Sequence, residues 1–150
     1  SHRREEGRRF ASARDEAERL IERVGDLPAR LATTSPVDPK TGLERRESTS
    51  EVQAREAAMS DLAAAARALD RAVRLRPGDE AVLALRRDVG RAIGRMAIVG
   101  RDYFLARDSF QRLAFHGESA GEVEGLLDEV EEGSLRGHIF RGVRGMSSHP

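Results

Sequence analysis

Arg87, Arg91 and Arg95 recur at intervals of four residues, and on a helix that spacing stacks three guanidinium groups along one face. Such a ridge can hold carboxylates, or an acidic peptide, through charge-assisted hydrogen bonds. The competing reading is a ridge that is solvated or paired within the chain to the acids between Glu122 and Glu132, because exposed ion pairs are common and contribute only about 0–1 kcal/mol each. These three arginines are the candidate partner-binding residues.

Other reactive side chains form no set. The histidines stand at 2, 116, 138 and 149, and none has the spacing to a second histidine or a carboxylate that a metal site or a general base needs. His116 reads instead as a polar residue at a helix C-terminus, where a cation is favourable. Ser109 has no histidine in register to activate it. The doublets Glu5-Glu6 and Glu131-Glu132 fall on solvated faces. Without any cysteine, disulfides, thiolate metal sites and a cysteine nucleophile are excluded. Gly90 and Gly94 make a GxxxG pair, but in an arginine-rich helix that implies close packing, and with no strand before it the pair is no phosphate loop. No enzyme, metal or cofactor is expected.

Composition sets the scaffold that must position the ridge. With 150 residues, 39% of them hydrophobic but only 4% aromatic and no tryptophan, the core rests on Ala, Leu, Val and Ile, which suits closely spaced helices. Twenty-six basic residues balance 26 acidic ones, and Lys40 is the one lysine among the basic set. That neutrality gives no global field to gather nucleic acid or anionic lipid, and no run approaches the roughly 18 apolar residues of a membrane span. A cytoplasmic protein without nucleic-acid or membrane partners is expected. The first methionine is Met59, so the chain reads as a segment of a longer protein.

Periodicity predicts about five helices in antiparallel pairs. Phe10, Ala13, Ala17, Leu20, Ile21 and Val24 recur at threes and fours and define an N-terminal amphipathic helix within residues 1–29, stopped by Gly25 and Pro28. Residues 30–49, with Pro36, Pro39 and Gly42, read as a polar linker or loop. A helical core follows over 50–133. Ser48 and Glu51 form a capping box ahead of a heptad-like seam, Val52, Met59, Leu62, Ala66, Leu69 and Val73, which also offers a route to dimerisation. Pro77-Gly78 ends that helix. The next carries Val82, Leu85, Val89, Ala92, Met96 and Val99 and should be central. Gly100-Arg101-Asp102 turns into a shorter helix with Tyr103, Ala106, Phe110 and Leu113, and Ser119 with Glu122 opens the last, closed at Gly133. Residues 134–150 form a Gly/Arg tail expected to be disordered or to lead into a neighbouring domain.

Ala65, Leu69, Ala72 and Pro77, followed by Ile93-Gly94, Tyr103, Ala106, Phe110 and Leu113, resemble a degenerate tetratricopeptide (TPR) repeat, in which small and large apolar residues alternate along a helix pair that ends in proline. The first-helix signature is missing upstream, where Val52-Gln53 stands, and the spacing from Pro77 to Ile93 exceeds the repeat period. More broadly, two helices split by a polar linker, then the run Ala68 to Ala81 and the run Gly100 to Ala106, are similar to the helical region that follows the catalytic domain in large bacterial serine/threonine protein kinases. The resemblance implies a degenerate TPR-like stack or bundle. Its function would be that of a non-catalytic protein–protein interaction or regulatory module of a larger signalling protein, binding a protein or an acidic peptide through the ridge. The alternative is a structural segment that homodimerises and positions an attached catalytic domain.

Overall fold

The computed structural model describes the backbone of residues 1–147 and the side chains of residues 1–136. Six α-helices follow one another: α1 (His2–Val24), α2 (Leu27–Thr33), α3 (Thr49–Leu75), α4 (Glu80–Val99), α5 (Tyr103–Arg112) and α6 (Ala120–Ser147), with a 3-10 turn, Leu113–His116, between the last two. The described residues contain no strand, and the one β-type feature is an isolated bridge between Val37 and Glu44. The fold is all-α, as the periodicity predicts.

Every α-helix but α2 starts where a short polar side chain accepts a bond from an orphan backbone N–H. Ser48 accepts from the Glu51 amide while the Glu51 carboxylate accepts from the Ser48 amide, completing the capping box of α3. Asp79 caps α4 by accepting from the Val82 amide at 3.0 Å, and Asp102 caps α5 by accepting from that of Leu105, also at 3.0 Å. Ser119 accepts from the Glu122 amide at 3.2 Å in front of α6.

Ion pairs and close contacts give the direction of every layer. Along α1 and α3, Arg23 reaches Asp61 while Glu16 reaches Arg71, so rising numbers meet falling ones and the helices are antiparallel. α4 returns along α3, with Arg86 2.8 Å from Asp70, and α5 returns along α4. α6 then runs back along α5, where the Tyr103 hydroxyl donates to the Gly133 carbonyl at 3.0 Å. The layer order is α1, α3, α4, α5, α6, with short α2 set against α4.

The core follows from small side chains. On α3, Ala58, Ala65, Ala66, Ala68 and Ala72 are buried with Leu62 and Leu69, and they face Phe10, Ala13 and Ala17 of α1 and Val82, Val89 and Met96 of α4. A second cluster joins Ala97, Ala106, Phe110, Leu113, Leu126 and Val130 between α4, α5 and α6. Met59 touches both. The heptad-like seam of α3 is thus consumed inside the chain: Leu62, Ala66 and Leu69 are core residues and not a free dimer face. At Gly94 an added Cβ would collide with the ring of fully buried Phe110, and at Gly90 it would lie 2.8 Å from Leu113 Cδ2. α5 packs there because α4 has no side chain in the way.

Two stretches differ from the expected division. The segment following Gly25 contains α2, because Pro28 sits in the first turn of a helix, where its missing N–H costs nothing. What remains of the linker, 34–48, is a strap folded back on α3 and the α4–α5 turn: Glu47 accepts from Arg55 at 3.0 Å, Arg45 donates to Glu51 at 2.7 Å, and Glu44 pairs with Arg101. At the other end α6 does not stop at Gly133 but continues to Ser147. Gly133 is buried, and a Cβ there would lie 3.0 Å from Ile98 Cγ2, so its helix-propensity cost of about 1 kcal/mol is offset by close packing. The side chains of the Gly/Arg tail from residue 137 onward lie outside the described residues.

Candidate functional site

The arginine ridge of α4 faces the junction between the 3-10 turn and α6. Arg87 Nη1 donates to the His116 carbonyl at 2.7 Å, and its other terminal nitrogen is 3.4 Å from Glu80. Arg91 pairs with both Glu118 and Asp88. Arg95 Nε lies 3.7 Å from Glu129 on α6. The helical spacing does place the three on one side of α4, and each guanidinium is engaged within the chain, but only Arg95 meets an acid of the Glu122–Glu132 run, while Arg87 and Arg91 turn to groups outside it. The ridge ties α4 to the chain that follows α5: Arg87 satisfies a carbonyl at the end of the 3-10 turn, Arg91 holds Glu118 ahead of α6, and Arg95 faces Glu129 within it.

His116 sits in the same corner. Its partial burial holds its pKa below the ordinary 6.5, and the guanidinium groups of Arg86, Arg87 and Arg112 push the same way, opposed by Asp70. The surroundings thus disfavour the imidazolium, unlike the favourable C-terminal cation expected from sequence. No group of three His, Cys, Asp or Glu side chains among the described residues is placed to hold a metal ion.

Two concave regions among the described residues bear on binding. One, of about 450 Å³, lies between the strap, the end of α4 and α6, with Ile98, Val99 and Tyr103 on its floor and charges of both signs around its rim. Its rim residues Glu44, Arg45, Glu47 and Arg101 are already committed to the ion pairs that hold the strap.

The other is a shallow groove of about 600 Å³ between the first half of α1 and the last turns of α3. Antiparallel pairing brings the doublet Arg8-Arg9 beside Arg71 and Arg74, with Glu16 the one acid in its lining. Arg9 is 3.1 Å from Glu5, and Arg71 is 2.6 Å from Glu16. Arg8 and Arg74 are exposed, and neither makes an ion pair among the described residues. Below them the Arg76 guanidinium stacks over the Phe10 ring at 4.2 Å, with Arg14 on the same ring at 5.8 Å. Cation–π attraction lets these two cations sit on an apolar surface. The groove is thus a basic wall with an apolar floor of Ala13 and Leu75.

From sequence, Arg71, Arg74 and Arg76 have a sufficient local explanation, since cations favour the last turns of a helix. Arg9 has one too, in Glu5 four residues before it, and Arg8 lies past the first turn of α1, where the dipole no longer acts. Only the α1–α3 pairing shows what these arginines face.

No family model, curated protein or solved structure matches this chain, so the site is read from its own geometry.

Proposed function

We propose that this chain is a non-catalytic protein-interaction module that receives an acidic peptide or helix in the groove between α1 and α3. The observation that carries the reading is the convergence there of Arg8, Arg9, Arg71 and Arg74 around one glutamate, with Arg8 and Arg74 left free to pair. Gathering like charges destabilises a fold unless an anion offsets the repulsion, and several exposed ion pairs acting together can supply a useful affinity although each is weak.

The likeness of the Ala65 to Leu113 region to a TPR-like pair, and of the wider chain to the helical region beyond bacterial serine/threonine kinase domains, supports a regulatory role within a larger signalling protein of the cytoplasm. In this reading Arg87, Arg91 and Arg95 hold the stack together, and the partner is met at the α1–α3 end. A segment that positions a neighbouring domain would use the same groove, since the α3 seam is buried.

Titration with a fluorescent oligo-glutamate peptide at low ionic strength tests the groove. Binding should weaken at least tenfold, equivalent to about 1.4 kcal/mol, in the double variant Arg8→Glu, Arg74→Glu. Equal affinity of wild type and variant, or no binding by either, would remove the reading.

A further inference from the structure

Resting on the groove reading, we infer that its acidic partner is a second copy of this chain, which lays the outer face of its α6 along α1 and α3. Between Glu118 and Glu132 the sequence holds seven acids and no lysine or arginine. Within that run Glu124, Asp128 and Glu131 are exposed and make no ion pair among the described residues. They follow one another at four and three residues, which aligns them as one stripe on the side of α6 turned away from buried Leu126 and Val130.

The groove side carries the same spacing. Arg71 and Arg74 line the groove with Arg8 beside them on α1, and Arg67, one turn before Arg71 on α3, extends the row outside the lining at the same four–three spacing; all three arginines of α3 are exposed, with Arg71 also held by Glu16. Two helices laid side by side with matching four–three stripes of opposite sign can pair turn by turn. The basic stripe lies on the exposed edge of α3 beside α1, at one end of the stack, and the acidic stripe on α6, the outermost layer at the other. One copy therefore cannot close the contact on itself, whereas a second copy can. The chain as a whole is neutral, 26 basic residues against 26 acidic, so repeated head-to-tail addition accumulates no charge. Because the two surfaces differ, the contact is heterologous and leaves a free groove and a free acidic face at the ends.

Sedimentation equilibrium of the whole chain at up to about 1 mM tests this. At low ionic strength the weight-average mass should exceed the 16.5 kDa of one chain, and it should fall back to that value in 1 M salt, where the screening length is about 3 Å. The groove variant Arg8→Glu, Arg74→Glu and the face variant Glu124→Arg, Asp128→Arg should each stay at single-chain mass alone and associate again when mixed. All four side chains are exposed and bear no ion pair among the described residues, so both variants should keep the helical circular dichroism of the parent. Single-chain mass for the wild type at every concentration and salt, or no recovery on mixing folded variants, would overturn the second copy as partner. The oligo-glutamate titration separates the two levels: peptide binding by a strictly single-chain protein retires the self-association alone, and absence of both retires the groove as well.

Discussion

Gly94 carries more of the fold than its size suggests. Alanine there would gain about 1 kcal/mol of helix propensity, but its Cβ would be driven into the Phe110 ring, which is fully buried and has nowhere to go. Overpacking of this kind costs about 1–3 kcal/mol, so Gly94→Ala should lower stability in urea unfolding, by about 1 kcal/mol net. Gly125 is the contrast: it is exposed in α6, and an added Cβ there meets nothing within 4 Å. Gly125→Ala should raise stability by about 0.5–1 kcal/mol. If both substitutions moved stability the same way, helix propensity and not contact with α5 would govern Gly94. The close packing at Gly90 and Gly94 was legible in the sequence, because glycines one turn apart in a long helix have few other reasons to be there. The identity of the packing residue, Phe110, was not.

At the level of elements, the caps and turns were the most legible part, since Ser48, Asp79, Asp102 and Ser119 act through atoms only a few residues away. The strap and the end of α6 were not, because tertiary contacts decide them: Glu47 with Arg55 in one case, Tyr103 with Gly133 in the other. The same division separates the two arginine sets. The spacing of Arg87, Arg91 and Arg95 predicts a shared face, but whether that face is open depends on α6 lying across from it. The corner they build has a consequence for pH. His116 is held below its ordinary pKa, so the unfolded chain takes up its proton first, and stability present above pH 6.5 is lost as pH falls through the unfolded value toward the folded one. The carboxylates held low, Asp61 by Arg23 and Glu51 by Arg45, withdraw their contributions only near and below their ordinary 3.8 and 4.5. Thermal unfolding midpoints should therefore decline between pH 7 and pH 5, and His116→Gln should flatten that decline while leaving the steeper loss below pH 4.5 in place. An unchanged slope in the variant would mean that other groups bind the protons.

For the molecule as a whole, the all-α class and the antiparallel order were legible because alanine-rich periodic segments separated by short turns admit few other arrangements. The groove between α1 and α3 was not legible, since Arg8 and Arg74 are 66 residues apart and only the path of the chain through α2 and the strap brings them together. One property of that path reaches beyond binding. Apart from α1 against α3 and α2 against α4, the chief neighbours of each layer are the helices just before and after it in the chain, so the contacts between layers from α3 onward close short loops. Proteins built from local contacts fold in about microseconds to milliseconds, and a stack with neighbour-only couplings can open from its ends inward. Amides of α6 should accordingly exchange with deuterium sooner than those of α3 and α4, and refolding after dilution from urea should be complete within milliseconds. The surface that offers a partner its acids is then also the layer that most readily peels away, and occupation of that layer would be felt as slower unravelling of everything beneath it.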